Sequence, residues 1–130
     1  MTTIIDGTTG LQGNGFYSNT AVTPPAIYDV NGVQIGVFCR AWVKFDGTLA
    51  TPTVIGGFNV TSISKQSTGN FTITFTNAMP NANYVIVGST GFGNTTVSVN
   101  TPSTGSCTIL TYNIASAANR DATTYVAFFA

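Results

Sequence analysis

The stretch that decides the fold is Val37-Phe38-Cys39-Arg40-Ala41-Trp42-Val43-Lys44-Phe45, which is followed by Asp46-Gly47. Its side chains alternate with a period of two, the pattern of a half-buried β-strand. We expect one face of this strand to lie in the core, with the side chains of Val37, Cys39, Ala41, Val43 and Phe45. The opposite face carries Phe38, Arg40, Trp42 and Lys44. The Asp-Gly pair predicts a turn directly after the strand.

Six further strands are predicted downstream, at residues 58–64, 71–76, 84–89, 95–100, 107–114 and 124–129. Residues 65–70 contain a glycine and predict a hairpin between the first two of these. Residues 84–89 form a nearly continuous apolar run, which predicts a central strand, and residues 77–83 predict a corner. About seven to eight strands separated by Gly, Pro and Asn turns favour an all-β antiparallel β-sandwich over residues 35–130, with a barrel as the alternative.

Charged residues are unusually rare in this chain. Only 6% of its 130 residues are charged, against about 25% in ordinary globular domains. The net charge is zero, so there is no electrostatic footprint for nucleic acid, and no apolar stretch is long enough to predict membrane insertion. With 43% hydrophobic residues and little charge to keep copies apart, the chain is expected to assemble with itself or within a larger particle.

The chain has few of the side chains that commonly act in catalysis. The chain has no histidine and no glutamate, the side chains that most often transfer protons in active sites. Cys39 and Cys107 are too few for a metal site or a disulfide framework, and we interpret them as small buried residues in preference to a bridged pair. We expect a protein that is not an enzyme and has no metal or cofactor. Its four acids are far apart in the sequence: Asp6, Asp29, Asp46 and Asp121.

Residues 1–34 have a different character. They are interrupted by several glycines, and Pro24-Pro25 imposes an extended stretch. Such a segment cannot build a core of its own, so we interpret it as an extended N-terminal arm that docks on a neighbouring chain or a larger particle. A disordered leader is the alternative. The arm's candidate interface residues are its apolar pairs, Ile4, Ile5, Phe16 and Tyr17.

Several short motifs occur in a fixed order along the chain. They are Cys39-Arg40-Ala41-Trp42-Val43-Lys44-Phe45-Asp46-Gly47, the segments 58–63 and 68–75, and Ala78-Met79-Pro80-Asn81-Ala82-Asn83-Tyr84. This series resembles the C-terminal tip domain of bacteriophage tail fibre proteins, in which a C-R-A-W-V-x-F-x-G strand is followed by an A-M-P-x-x-N-Y corner. Residues 24–29 and 31–36 are similar to the linker before that domain, so the resemblance covers roughly residues 22–130.

The resemblance implies a homotrimeric structural protein of the virion, a tail fibre or fibre-tip subunit that mediates attachment to the host surface. Its implied partners are copies of itself, other virion proteins bound through the N-terminal arm, and a bacterial surface glycan or protein. The family's domains usually end much longer proteins with a shaft, and little sequence precedes the match here. A capsid or neck decoration protein that binds no receptor is therefore the alternative, and a cellular lectin fits the fold but not the motifs.

Two loops carry the receptor-binding candidates. Residues 90–94 place Phe92 between two glycines and next to Asn94, and residues 115–123 contain Asn119 and Arg120. Aromatic rings pack on the apolar faces of sugars, and arginine donates forked hydrogen bonds to polar groups. Ordinary turn chemistry is the alternative interpretation of these residues.

The outward face of the first strand also carries residues that suit a sugar site, Phe38, Arg40 and Trp42. We favour a contact between subunits or sheets for them, because the strand is shared with the resembling family, whereas receptor contacts usually lie on loops. These three residues are therefore predicted to belong to an assembly interface.

Overall fold

The computed structural model describes residues 5–6, 10–11, 26–29 and 31–130. These residues form thirteen β-strands and no helix. The first two strands, β1 (Ile5–Asp6) and β2 (Gly10–Leu11), pair antiparallel. The next two, β3 (Ala26–Tyr28) and β4 (Gln34–Val37), form a hairpin of their own.

Two antiparallel sheets make up the rest of the domain. The four-stranded sheet contains β5 (Cys39–Asp46), β6 (Thr53–Phe58), β9 (Val85–Thr90) and β13 (Thr123–Phe129), in the order β6-β5-β13-β9. The second sheet has the order β10-β11-β8-β7, with β12 pairing on β11. It contains β7 (Val60–Ser67), β8 (Asn70–Phe75), β10 (Thr95–Pro102), β11 (Ser106–Asn113) and β12 (Ala118–Asn119). The predicted all-β antiparallel fold is confirmed.

The two sheets pack face to face around an aromatic core, as in a β-sandwich. Phe45 of β5 meets Phe71 of β8 edge to face, with ring centroids 5.1 Å apart. Phe128 of β13 meets Phe75 of β8 in the same way at 5.0 Å. Such edge-to-face pairs are favoured by the ring quadrupoles and add to the free energy gained by burying the rings. They join both central strands of the four-stranded sheet to one strand of the other.

Strand β5 follows the predicted alternation over most of its length. Ala41, Val43 and Phe45 are buried, and the residues between them face outward. The expectation that Val37 belongs to the same buried face is wrong, because the strand begins at Cys39 and Val37 ends β4, where it is exposed. Cys39 is only half buried, and both cysteines are free thiols.

The sequence-based prediction misses two strands of the two main sheets, the short β12 and the six-residue β6. Residues Thr53–Phe58 form β6, so Phe58 ends this strand and does not begin the next. Asn59 separates β6 from β7 with a left-handed backbone at φ 57°, which asparagine tolerates better than most residues. Its side chain fixes the crossing between the sheets, because Nδ2 donates to the carbonyl of Arg40 at 3.0 Å and Oδ1 accepts from the amide of Asn77 at 2.7 Å.

The predicted central position of residues 84–89 is also wrong. Strand β9 lies at the edge of the four-stranded sheet, and its continuous apolar run reflects two apolar faces. Val85 and Val87 point outward, and their exposed fractions are 62% and 60%. Gly88 lets β9 approach β10 of the other sheet, since a Cβ there would lie 3.0 Å from Cγ1 of Val97.

The strand registers give the sandwich two distinct ends. The chain enters the sheet at Cys39 and leaves it at Phe129, which are register partners. We call the opposite end the loop end. Four strands end there, at Asp46, Ser67, Thr90 and Asn113. The connections that follow them are residues 47–52, 68–69, 91–94 and 114–122. The β3–β4 hairpin therefore joins the sandwich at the end far from these loops.

Tyr84 anchors the predicted corner at the chain-entry end. Its hydroxyl donates to the carbonyls of Ser103 and Ser106, at 3.0 and 3.2 Å, and its ring contacts Phe75 and Phe128. Desolvation raises the pKa of Tyr84 above its ordinary value of 10.0, and burial likewise raises the pKa of the neighbouring Cys107 thiol above 9.0. The folded state therefore keeps these protons at a pH where the unfolded chain loses them.

We predict that the free energy of unfolding is insensitive to these groups below about pH 9 and falls above it. The raised folded pKa values mean that the unfolded chain ionises first, and each group contributes a slope of at most about 1.4 kcal/mol per pH unit. Urea unfolding between pH 8 and 11 measures this. Tyr84→Phe should be less stable at pH 8 but show a flatter alkaline decline. Tyr112→Phe is the matched control, and an equal flattening in both variants would contradict the assignment.

Candidate functional site

The structure brings the two receptor-candidate loops together at the loop end. Phe92 and Asn94 lie on the connection from β9 to β10, Asn119 lies on β12, and Arg120 follows it. The guanidinium carbon of Arg120 lies 4.2 Å from the centroid of the Phe92 ring. At this distance the cation is attracted to the face of the ring. We call this pair the Arg120–Phe92 stack.

Backbone hydrogen bonds fix the loop that carries Phe92. The amide of Gly91 donates to the carbonyl of Thr123 at 2.8 Å, and the carbonyl of Asn94 accepts from the amide of Ile114 at 2.8 Å. Between these anchors, Oγ1 of Thr90 donates to the carbonyl of Phe92 at 3.1 Å. The loop is thus tied to both of its neighbours while the Phe92 ring stays 40% exposed.

An ion pair joins three of the loops beneath this site. Oδ2 of Asp121 lies 2.6 Å from Nζ of Lys65, and Oδ1 accepts from the amide of Gly69 at 2.8 Å. The same Nζ donates to the carbonyls of Gly47 and Leu49, at 3.4 and 3.3 Å. We call this arrangement the loop clamp. The clamp was not predicted from the sequence, because its two charged residues are 56 positions apart.

Thr111 extends the clamp to the receptor candidates. Its hydroxyl is fully buried and donates to the carbonyl of Arg120, whose own amide donates to the carbonyl of Thr111 at 2.9 Å. The amide of Thr111 donates to the carbonyl of Gly69 at 2.8 Å. The backbone of Arg120 is therefore fixed against the five-stranded sheet, and only its side chain reaches outward to Phe92.

The outward face of the four-stranded sheet carries the second group of candidates. Strand register places Phe58, Trp42, Ala127 and Val87 side by side in one row across all four strands. The exposed fractions of Phe58 and Trp42 are 58% and 45%. We call this surface, together with Val85 and Tyr125, the apolar face. Of its members only Trp42 was identified from the sequence.

Cationic side chains border the apolar face. Nζ of Lys44 lies 5.3 Å from the ring centroid of Tyr125, one step along the strands from the row. An open groove of about 400 Å³ lies between this pair and the row. It is lined mainly by apolar atoms of Trp42, Val87, Tyr125 and Ala127. A second groove of about 350 Å³ is lined by Phe38, Cys39, Arg40, Phe58, Asn59 and Asn77. The predicted interface residues therefore line two grooves, Trp42 the first and Phe38 and Arg40 the second.

The outward face of the five-stranded sheet has the opposite chemistry. Register places Ser64, Thr72, Thr108 and Thr101 side by side across four strands. The hydroxyls of Thr72 and Thr108 are hydrogen-bonded to each other at 3.1 Å. One face of the domain therefore presents hydroxyls to water, whereas the other presents large apolar side chains.

Three of the arm's candidate residues, Ile4, Phe16 and Tyr17, lie outside the described residues. For Ile5 the structure describes only its backbone pairing with Leu11. The role of the arm stays a prediction.

The described ranges contain no cluster suited to metal binding. No group of three or more His, Cys, Asp or Glu side chains lies close enough together there to hold a metal ion. The same part of the chain has no helix that could span a membrane. Asp46 lies at the loop end, where hydrogen bonds from the hydroxyl and then the amide of Thr48 hold the pKa of its carboxyl below the usual value.

Comparison with known proteins identifies no matching family model, and neither the curated proteins nor the solved structures include a significantly similar chain.

We predict that Gly69→Ala lowers the free energy of unfolding by about 2 kcal/mol or more, since left-handed strain and a steric clash add together. Gly69 has a φ of 63°, and a Cβ there would lie 2.5 Å from the carbonyl oxygen of Thr111. Urea unfolding followed by circular dichroism measures the loss. The matched control is Gly105→Ala, where a Cβ would meet nothing within 4 Å. Equal stability of the two variants would contradict the described loop end.

Proposed function

We propose that this protein is a non-enzymatic structural subunit of a bacteriophage virion, a tail fibre or fibre-tip protein. In this proposal it assembles as a homotrimer through the apolar face, attaches to the particle through its N-terminal arm, and presents the loop end to the host surface. The observation that carries the proposal is the row of Phe58, Trp42, Ala127 and Val87 across the outside of the sheet.

The size of this row supports a second copy of the chain as its occupant. Burying a large apolar side chain is worth about 1.5–3 kcal/mol, and Trp42, Phe58, Val85 and Val87 each remain between 45% and 62% exposed in one copy. Contiguous apolar surface of this kind is typical of interaction sites in proteins. A chain with zero net charge also has little electrostatic repulsion between copies.

The contrast between the two sheets supports the choice of face. The hydroxyls of Ser64, Thr72 and Thr108 suit contact with water, so the five-stranded sheet has no comparable reason to be covered. The stems of Arg40 and Lys44 can pack beside the apolar row, with their charged ends at the rim. Apolar residues at the centre and polar groups at the rim are the usual anatomy of a subunit interface.

The direction of the chain supports the proposed roles of the two ends. The described segment before the sandwich, the β3–β4 hairpin, joins at Cys39, far from the loop end. A subunit attached to a particle through its N-terminal side would thus point its loops outward. The resemblance of the motif series to tail fibre tip domains supplies the phage assignment and the three-fold symmetry.

We predict that the purified protein sediments as a trimer and that a double variant, Trp42→Ser with Phe58→Ser, sediments mainly as a monomer. The two substitutions remove the largest side chains of the row, at a cost to association of about 1 kcal/mol for each side chain, since about half of each is already buried in one copy. Sedimentation velocity over a range of concentrations measures the shift. Leu49→Ser is the control, because Leu49 is 49% exposed but lies in a loop away from the apolar face. A wild-type protein that is monomeric at high concentration would overturn the proposal.

A further inference from the structure

We propose that the Arg120–Phe92 stack binds an acidic saccharide, with the sugar carboxylate on the guanidinium of Arg120. This inference rests on the proposed function, because it names the class of ligand that the loop end would bind on a host surface. The receptor would be a glycan, and Arg120 would be the side chain that selects for its negative charge.

The guanidinium of Arg120 has unused hydrogen-bonding capacity. Arginine carries five N–H donors in a planar fork, and within the described part of the chain this fork donates no hydrogen bond and forms no ion pair. Its contact is the ring of Phe92, whose centroid lies 4.2 Å from the guanidinium carbon and which offers no oxygen or nitrogen acceptor to the N–H groups. A planar fork with free donors matches the two oxygens of a carboxylate.

The carboxylates at the loop end are already engaged. Asp121 follows Arg120 in the sequence, but its two oxygens accept from Lys65 and from the amide of Gly69, at 2.6 and 2.8 Å. Asp46 accepts from the hydroxyl and amide of Thr48, at 2.6 and 2.9 Å. The ion pair within the loop clamp thus cancels its own charge, while Arg120 keeps a positive charge for an external anion.

The groups around the stack suit a sugar more than a simple anion. Part of the Phe92 ring remains open to solvent and can receive the apolar C–H face of a pyranose. Asn94 and Asn119 are exposed on the two loops, and each amide offers both a donor and an acceptor to hydroxyl groups. A carboxylate, an apolar ring face and several hydroxyls occur together in uronic acids.

The loops are also held in place before any ligand arrives. Gly91 and Asn94 are fixed by backbone hydrogen bonds to Thr123 and Ile114, and Arg120 is fixed at both of its backbone polar groups to Thr111. Binding to such a site would order only a few side chains, those of Arg120, Phe92, Asn94 and Asn119. Less conformational entropy is then lost on binding than with a mobile loop.

The test is an array of uronic-acid-containing bacterial polysaccharides, each printed beside its carboxyl-reduced form. The wild-type oligomer should bind at least one acidic glycan about tenfold or more tightly than its reduced form, the effect of one charge-assisted pair. Arg120→Gln should lose this preference, and Arg120→Lys should keep only part of it, because a lysine retains the charge without the fork. Phe92→Leu should weaken binding to the same acidic glycan. Gln66→Ala, at the same end, should bind like the wild type, because the Gln66 side chain is exposed and donates to the hydroxyl of Ser64, away from the stack and the clamp.

Each outcome bears on one proposal. Equal binding to acidic and reduced forms, binding to none of the glycans, or an unchanged preference in a folded Arg120→Gln variant would overturn the saccharide site. Circular dichroism confirms that each variant is folded, and Phe92→Leu gives an independent reading if Arg120→Gln is not. Failure of the array with an intact oligomer would overturn this site alone, whereas a monomeric wild type in sedimentation would overturn the proposed function.

Discussion

The parity of strand β5 is the constraint on which the other features depend. Successive side chains of a strand point to opposite faces, so a shift of one residue would exchange every inward and outward side chain. With Ala41, Val43 and Phe45 inside, Arg40, Trp42 and Lys44 must lie outside. The neighbouring strands fix this parity, because β13 pairs Val126 with Val43 and β6 pairs Phe58 with Trp42.

This parity produces a domain with two unlike sheet faces and two unlike ends. The inward residues complete an aromatic core in which Phe45 and Phe71 hold the sheets together. The outward residues form the apolar face, which a single copy leaves in water. At the loop end, the loop clamp of Lys65 and Asp121 positions the loops that carry Arg120 and Phe92. The proposed assembly and the proposed recognition would therefore use separate surfaces of one domain.

Much of the fold could be predicted from the sequence because its strands alternate so regularly. The alternation of Phe71, Ile73 and Phe75 with threonines predicts the buried side of β8, and all three are buried. Strand β6 was missed because Gly56 and Gly57 interrupt its apolar pattern, and glycine is uncommon inside strands. The edge position of β9 could not be read from its composition, since a run that is apolar on both faces fits a central strand equally well.

The candidate sites, like the fold, could be predicted only in part from the sequence. Phe92, between two glycines, and Arg120 were each recognisable from the sequence as loop residues. Their contact could not be predicted, because it depends on the path of β9, β10 and β12 through two sheets. The row on the apolar face required the register of four strands, so Phe58, Val87 and Tyr125 were not identified as partners of Trp42. Local patterns predicted elements and turns, whereas surfaces built from distant strands required the structure.

The fluorescence of Trp42 reports directly on assembly through the apolar face, because Trp42 is the single tryptophan of the chain and lies on that face. Its emission should be blue-shifted and protected from acrylamide quenching at high protein concentration, and should become red-shifted and readily quenched on dilution without loss of the β-sheet circular dichroism signal. A red-shifted emission that is quenched equally at every concentration would show that Trp42 stays in water, and would contradict assembly through this face.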